Sequence, residues 1–199
     1  LKSVNQYYNK QMAKRRSICE RMNGRHSSKR IARLTVKRNR KVEDYLHKAS
    51  RKVIDLCAGQ DVSVLVIGKN KGWKQEANFG RKVNQSFVQL PFARFIQMLQ
   101  YKAESIGMKV VLTEESYTSG TSFLDDEAPV KACYDKSRRV HRGLFLANDG
   151  QRINADVNGA YQIMRKVFPN VNADGIEGVA LRPAVVTLSM STRRSSGCA

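Results

Sequence analysis

Two short apolar runs separated by an amphipathic segment place the strongest constraint on the fold of this chain. Val62–Gly68 (VSVLVIG) and Met108–Glu114 (MKVVLTE) have the length of strands, and such continuous apolar runs are typical of strands buried on both faces of a parallel sheet. Between them, Pro91 opens a helical pattern for which Gly107 is a natural C-cap. A strand–helix–strand order predicts a right-handed parallel crossover and therefore an α/β fold. The predicted buried stripe of the helix is Phe92, Phe95, Ile96, Leu99, Ala103 and Ile106.

The residues before the first strand are predicted to form two helices. The first covers residues 3–22, and the second runs from an N-cap at Ser27 or Ser28 to about Cys57. The second helix has one apolar face at three- and four-residue steps, and its other faces are basic. The predicted apolar positions are Ile31, Leu34, Val42, Tyr45, Leu46, Ala49, Val53 and Ile54.

The residues after the second strand predict a polar loop, a hairpin and a terminal helix. Arg142–Ala147 and Gln151–Asn154 are short strand-like runs joined by Asn-Asp-Gly, which is a turn signal. Asp156–Phe168 is predicted to be helical, and the composition of residues 170–199 predicts a disordered tail.

The charge of the chain points to a polyanionic partner. There are 36 Lys and Arg against 17 Asp and Glu, a net charge of +19, and 17 of these basic residues lie within residues 1–52 beside only three acids. Neutralising phosphates releases counterions and drives sequence-independent binding, so nucleic acid is the expected partner. The long basic helix supplies the candidate contacts: Arg33, Lys37, Arg38, Lys41, Lys48, Arg51 and Lys52.

The cysteines indicate a reducing compartment, and the hydropathy indicates no membrane-spanning segment. Four widely spaced cysteines form no Cys-x-x-Cys pair, which argues against a zinc ribbon and against a disulfide framework. No apolar run reaches membrane-spanning length, and Leu1–Lys10 lacks a signal-peptide core. We therefore expect a cytoplasmic protein without a membrane partner; in a bacterium, a nucleic-acid-binding protein of this kind would be nucleoid-associated. Because Leu1 is not a methionine, the chain is expected to be a fragment or a processed piece.

Two predicted strands end at carboxylates. Glu114 or Glu115 follows the second strand, and Asp156 lies where the hairpin passes into the terminal helix. Carboxylates at strand ends suit Mg²⁺ or Mn²⁺, which bind one or two carboxylates together with substrate phosphates. Spacing alone leaves other interpretations open, because Asp156 has the position of a helix N-cap and Glu115 that of a solvent-facing acid.

Three separated segments of the sequence resemble the TnpB (OrfB) family. They are LVIGKNKGWKQEANFGRKVNQSFVQLPFARFIQMLQYKAE, VVLTEESYTSGTSFLDDE and GLFLANDGQRINADVNGAYQIMRKVFPN, in the family's order. These proteins are transposon-encoded RNA-guided nucleases related to type V CRISPR effectors and to Fanzor proteins. The resemblance implies the C-terminal part of a RuvC nuclease domain with a partial RNase H-like fold. It divides the chain into basic helices (1–60), a nuclease core (61–169) with a degenerate zinc-finger insert at about 116–139, and the tail (170–199).

The resemblance carries over to individual residues with some departures. Asp156 and Asn158 match the family's last Asp-x-Asn motif, whereas Gly68 stands where the family usually has a Glu directly after a strand. Glu115 resembles the relocated Glu of some relatives, and Glu114 is the second choice. The implied ions are Mg²⁺ or Mn²⁺. Zinc is not expected, because Ser122 and Asp125 occupy the positions of the first cysteine pair in the insert.

Three functions are compatible with these features. The first is an RNA-guided, Mg²⁺-dependent DNA endonuclease with guide RNA and DNA as partners, in which Glu115 and Asp156 hold the metal. The family's first catalytic Asp would lie before Leu1, so the isolated chain is expected to be inactive unless an upstream polypeptide supplies the rest of the RuvC fold. The second is a catalytically silent DNA- or RNA-binding fragment. The third is a basic structural protein of a ribonucleoprotein.

Overall fold

The computed structural model describes residues 1–70 and 91–173, together with Val186 and Leu188. Within these residues the chain forms helices α1 (Lys2–Asn23), α2 (Lys29–Ala58), α3 (Phe92–Glu104) and α4 (Ala155–Val167). The strands are β1 (Val64–Gly68), β2 (Lys109–Thr113), β3 (Leu144–Leu146) and β4 (Arg152–Asn154), so the mixed α/β composition is confirmed. The contacts divide the chain into two compact units, which we describe separately.

The first unit contains α1, α2 and α3. Helix α1 ends at Gly24, whose left-handed conformation (φ 61°) lets its amide donate to the Glu20 carbonyl. Helix α2 begins at the predicted cap, because the Ser28 hydroxyl accepts a hydrogen bond from the Ile31 amide at 3.3 Å. Both predicted helices are confirmed to within about two residues.

Helix α3 packs against α2. Met98 is fully buried and forms a cluster with Val42 and Leu46, on which Phe95 and Leu1 also pack. Because of this packing, α3 lies in the first unit, although the sequence-based division placed it in the segment 61–169. The division of the chain into functional domains at 1–60, 61–169 and 170–199 stays a prediction.

The predicted stripe of α3 is partly wrong. Ile106 is exposed and follows the end of the helix, and Phe92 is only half-buried. Lys102 is buried instead, where its Nζ donates to the His47 carbonyl and to Ser50 Oγ, both at 2.7 Å. Burial lowers the pKa of Lys102, but these two acceptors on α2 replace part of the lost hydration.

The second unit contains the four strands and α4. Strands β1 and β2 pair in parallel, with Gly68 opposite Thr113, which confirms the predicted parallel pair. Strands β3 and β4 form the predicted antiparallel hairpin, and α4 contacts all four strands. Phe145, Ile153 and Ala155 form the buried core where the hairpin meets α4.

The prediction that both apolar runs are buried on two faces is wrong for the residues that the structure describes. Every residue of β1 is only half-buried, and Lys109 and Leu112 of β2 are exposed. In the described ranges the sheet has two strands, so each strand is an edge. The predicted disordered tail mostly lies outside the described residues, which end at 173 apart from Val186 and Leu188.

None of the helices in the described ranges is both long enough and apolar enough to cross a membrane.

Candidate functional site

Glu115 occupies the space above Gly68. A Cβ built on Gly68 would lie 2.4 Å from Glu115 Cγ, 2.7 Å from its Oε1 and 2.8 Å from Ile163 Cδ1 of α4. Real Cβ atoms essentially never approach other atoms this closely. A side chain at position 68 and Glu115 in its present position therefore exclude each other.

Backbone hydrogen bonds fix this arrangement at the carboxyl ends of β1 and β2. The Lys69 amide donates to the Thr113 carbonyl at 2.7 Å, and the Glu115 amide donates to Asn70 Oδ1 at 2.9 Å. The Thr118 hydroxyl donates to the Glu115 carbonyl at 2.8 Å. Glu115 thus lies where open α/β sheets bind ligands.

Glu115 and its neighbour Glu114 have different environments. Glu114 is exposed, whereas Glu115 is half-buried, and burial raises the pKa of the Glu115 carboxyl. A cation would offset the cost of holding the ionised carboxylate there. Of the two acids considered from the sequence, Glu115 is therefore the better placed to bind one.

Asp156 lies in the first turn of α4 and is not its N-cap. Asn154 is the cap, since its Oδ1 accepts hydrogen bonds from the amides of Asp156 (2.9 Å) and Val157 (3.2 Å). The Asp156 side chain is 84% exposed, and its Oδ1 lies 3.5 Å from a terminal guanidinium nitrogen of Arg139. The N-cap interpretation of Asp156 is therefore wrong, and its carboxylate remains accessible.

Asp156 shares a face of α4 with Ile163, the residue that adjoins Glu115. Ile163, whose Cδ1 adjoins the Glu115 side chain over Gly68, follows Asp156 by seven residues. Seven residues are nearly two turns, so Asp156 and Ile163 share a helix face about 10 Å apart along the axis. Gly159 lies between them, and a Cβ there would meet nothing within 4 Å. The surface of α4 at Gly159 is therefore open.

The donor set around this surface suits a hard cation only in part. Carboxylate oxygens are what Mg²⁺ and Mn²⁺ bind, with phosphate and water oxygens completing the shell. Among the described residues, no group of three or more His, Cys, Asp and Glu side chains is close enough to hold a metal. Glu115 and Asp156 are two carboxylates of the kind that Mg²⁺ or Mn²⁺ binds, and the described residues bring no third acid to them.

Asn158, the other member of the Asp-x-Asn pattern, has a structural position. It is fully buried, its Oδ1 accepts from the Phe123 amide at 2.9 Å, and its Nδ2 donates to the Thr121 carbonyl at 2.8 Å. Asn158 therefore connects α4 to the segment after Glu115. The two-residue spacing from Asp156 could have predicted this structural position. Residues two apart in a helix point in nearly opposite directions, so Asn158 faces the interior while Asp156 faces solvent.

An ion-pair cluster that the sequence did not predict organises the insert. Arg138 donates to both carboxylate oxygens of Glu127 (2.7 and 2.8 Å) and to Asp125 (2.5 Å), and its guanidinium carbon lies 5.3 Å from the Phe145 ring centroid. Asp125 also accepts from the Asn148 amide. Asp125, at a position expected for a zinc ligand, thus participates in a protein ion pair. The expectation that zinc is absent stays a prediction.

The basic residues of α2 lie on the face opposite its core. At 3.6 residues per turn, Arg33, Lys37, Lys41, Lys48 and the pair Arg51 and Lys52 fall within roughly 100° of the circumference, away from the buried side chains of the helix. Lys48 and Arg51 form i,i+4 ion pairs with Asp44 (2.8 Å) and Asp55 (3.9 Å). Exposed pairs of this kind are weak and exchange readily for phosphate contacts.

Arg38 lies apart from the other basic residues of α2. Its Nε donates to Oδ1 of the buried Asn5 at 2.9 Å, and its guanidinium carbon lies 5.3 Å from the centroid of the Tyr8 ring. The predicted set of basic residues is thus divided between an open face and the contact with α1.

Gly68→Ala tests the steric exclusion at the sheet end. We expect it to lower the free energy of unfolding by about 1–3 kcal/mol, because the new methyl group displaces Glu115 or Ile163 from a packed position. Urea denaturation followed by circular dichroism measures this change. In the double variant Gly68→Ala/Glu115→Ala the loss is expected to be smaller than the sum of the single effects.

Gly159→Ala is the matched control for that experiment. Its Cβ enters open space, and Ala is favoured over Gly inside a helix, so a gain of about 0.5–1 kcal/mol is expected. Equal losses at both glycines would contradict the close contact at Gly68.

Family models and a curated relative match this chain. Residues 1–74 match the model OrfB_IS605, described as a probable transposase, and residues 92–163 match the Cas12f1-like TNB domain. Over 162 residues the chain is 25% identical to the CRISPR-associated endodeoxyribonuclease Cas12f2 of Micrarchaeota archaeon (strain CG1_02_47_40). The alignment covers 77% of this chain and 28% of that protein.

A solved structure has a similar fold. The cryo-EM structure of a Cas12f1–sgRNA–target DNA complex superposes on 79% of this chain and 40% of that chain, with a TM-score of 0.53 and 20% sequence identity. The chain therefore spans less than half the length of both relatives. The two family models match successive parts of the sequence and agree with the relative, and the solved structure shares the fold. The chain is therefore similar to TnpB/Cas12f-like proteins, a family of transposase-associated, Cas12-like nucleases.

Proposed function

We propose that this chain is part of a RuvC-type, RNA-guided DNA endonuclease with an RNase H-like core. The observation that carries this proposal is Glu115, which is held over Gly68 at the end of a parallel strand pair, beside Ile163 of the helix that carries Asp156. A half-buried carboxylate at a strand end and an accessible one on the adjoining helix suit phosphodiester hydrolysis with divalent cations better than they suit a purely structural role.

In the proposed mechanism each residue has a limited task. Glu115 and Asp156 would hold Mg²⁺ or Mn²⁺, which supplies an activated water and stabilises the leaving oxygen when it is bound. The half-buried position of Glu115 limits water around its carboxylate. The ion pair between Asp156 and Arg139 is weak enough to open when substrate arrives. Asn158 would keep the first turn of α4 at a fixed distance from the segment after Glu115.

The basic face of α2 would bind the backbone of the guide–target duplex. Its length of about 45 Å and its exposed lysines and arginines suit several phosphate contacts without base recognition. The partners of this proposal are DNA and guide RNA, the molecules bound by the similar Cas12f1 structure.

A silent nucleic-acid-binding fragment is the second candidate. The observation in its favour is that the described residues contain no group of three or more His, Cys, Asp or Glu side chains that could hold a metal ion. Cleavage assays separate the two candidates. The protein expressed from its whole open reading frame, supplied with guide RNA and Mg²⁺, should cut target DNA under the first, and should bind but not cut under the second.

Salt dependence tests the proposed binding by α2. Arg33→Gln and Lys52→Gln are each expected to reduce the slope of log K against log salt by about 0.9 for duplex DNA, because each removes one phosphate contact. Fluorescence anisotropy at several salt concentrations measures the slope. Lys131→Gln, a change at an exposed residue of the insert, is the control and should leave the slope unchanged. Equal slopes for all variants would contradict backbone binding by α2.

A further inference from the structure

A groove between α1 and α2 has the properties of a nucleotide site. Its volume is about 310 Å³, and it is lined by Tyr7 and Tyr8 from α1 and by Lys37, Arg38 and Lys41 from α2. Sites for small ligands begin near this volume and combine apolar walls with a few polar groups. We call it the α1–α2 groove.

Fixed side chains form one wall of the α1–α2 groove. The Tyr8 hydroxyl lies 3.1 Å from Thr35 Oγ1, and the Arg38 guanidinium lies over the Tyr8 ring. Arg38 is itself oriented by its hydrogen bond to Asn5, which is buried. A wall whose side chains are already ordered costs little further entropy when a ligand binds.

The rim of the groove combines an exposed aromatic ring with cations. Tyr7 is 63% exposed, although a phenol ring normally gains by being covered. Lys37 and Lys41 lie one turn apart on the exposed face of α2. No acidic side chain is among the described residues that line the groove. An exposed ring next to paired cations is the arrangement by which proteins stack a base and hold its phosphate.

We propose that the α1–α2 groove binds one unpaired nucleotide, with its base stacked on Tyr7 and its phosphate between Lys37 and Lys41. This inference rests on the proposed function, since it takes nucleic acid to be the partner, and it extends that function from duplex backbone to a single-stranded segment. A base paired within a duplex has no free face to offer Tyr7. The groove therefore favours single strands over duplexes.

Short oligonucleotides test the proposal. The probes are dU and U homopolymers of twelve nucleotides with one central 2-aminopurine, which differ only in the sugar, and a blunt duplex of equal length. Tyr7→Ala is expected to weaken single-strand binding by about tenfold to a hundredfold, the value of one stacked base. It should also remove the fluorescence quenching that stacking causes. Duplex affinity should stay within about twofold.

Matched variants show whether the effect belongs to stacking at this groove. Tyr7→Phe keeps the ring and should bind within about twofold of the unmodified protein. Tyr101→Ala removes another exposed tyrosine, on α3, and should change neither affinity nor quenching. The homopolymer that shows the larger effect of Tyr7→Ala identifies the sugar that the groove prefers.

Several outcomes would overturn the proposal. Equal loss of single-strand and duplex affinity in Tyr7→Ala, or unchanged quenching, would exclude a stacked base. Equal weakening by Tyr7→Phe would indicate a role of the hydroxyl instead. If no probe binds at any salt concentration, the proposed function itself fails, whereas salt-dependent duplex binding without a Tyr7 effect refutes only the groove.

Discussion

Glu115→Gln is expected to lower the rate of DNA cleavage by about a thousandfold or more in the protein expressed from its whole open reading frame. Such a loss corresponds to about 4 kcal/mol, a reasonable share of the charge stabilisation that a divalent cation provides in phosphoryl transfer. Asp156→Asn should have a comparable effect. Glu114→Gln is the control, because Glu114 is exposed and adjacent, and it should cleave at the unmodified rate. Single-turnover cleavage with Mg²⁺ measures all three.

The stability of Glu115→Gln distinguishes loss of function from loss of fold. Because burial raises the pKa of Glu115, the folded chain holds the proton more tightly than the unfolded chain. The stabilisation from protonated Glu115 is therefore full below its unfolded pKa and is lost as pH rises through its folded pKa. The glutamine of the variant does not ionise, so its contribution to stability does not fall as pH rises. Without metal, the variant should be at least as stable as the unmodified chain at neutral pH, and the difference should vanish in acid.

Two results would contradict this assignment. Cleavage by Glu115→Gln at the unmodified rate would remove Glu115 from the site, and an equal loss in Glu114→Gln would mean that the structure assigns the wrong acid. If the unmodified protein does not cut with guide RNA and Mg²⁺, the silent binding fragment is the better description.

Arg138→Met is expected to lower the free energy of unfolding by about 3–5 kcal/mol, because it leaves two largely buried carboxylates without their cationic partner. The side chains of Arg138, Asp125 and Glu127 are only 12%, 16% and 20% exposed. The Arg138 Nε also donates to the Leu146 carbonyl at 3.2 Å, so the change affects the hairpin as well. Urea denaturation in the presence of EDTA measures the loss, and faster hydrogen exchange at the Asn148 amide, which donates to Asp125, locates it.

Neighbouring changes serve as controls for this prediction. Arg139→Met removes an exposed arginine whose pair with Asp156 is 3.5 Å long, and should cost less than about 1 kcal/mol. Arg138→Met combined with Asp125→Asn and Glu127→Gln should be less destabilising than Arg138→Met alone, since no uncompensated charge remains. A triple variant that is less stable than the single one would show that the carboxylates stabilise the insert by other contacts.

The elements that the sequence predicted correctly depend on local patterns. The Ser28 cap of α2 and the parallel pairing of β1 with β2 were predicted from residue types and their order, and both are confirmed. The hairpin was predicted from Asn148-Asp149-Gly150, whose glycine adopts a φ of 83° that other residues rarely adopt.

The errors concern burial, which depends on distant partners. The run in β1 predicted two covered faces, but each residue is only half-buried. Lys102 is buried because Ser50 and the His47 carbonyl on α2 accept hydrogen bonds from its ammonium group. The spacing of residues within α3 does not indicate these acceptors. Periodicity shows which residues share a face, but not what lies opposite them.

The sequence by itself determined the helices, the parallel strands, the concentration of positive charge on α2 and the two strand-end acids, because each follows from neighbouring residues. Only the tertiary structure shows that Glu115 is half-buried over Gly68, which lies 47 residues earlier, while Glu114 is exposed. It also excluded Asp156 as a cap and paired Arg138 with Asp125 and Glu127. Such contacts depend on how strands align and helices pack, and no local pattern of residue types contains that information.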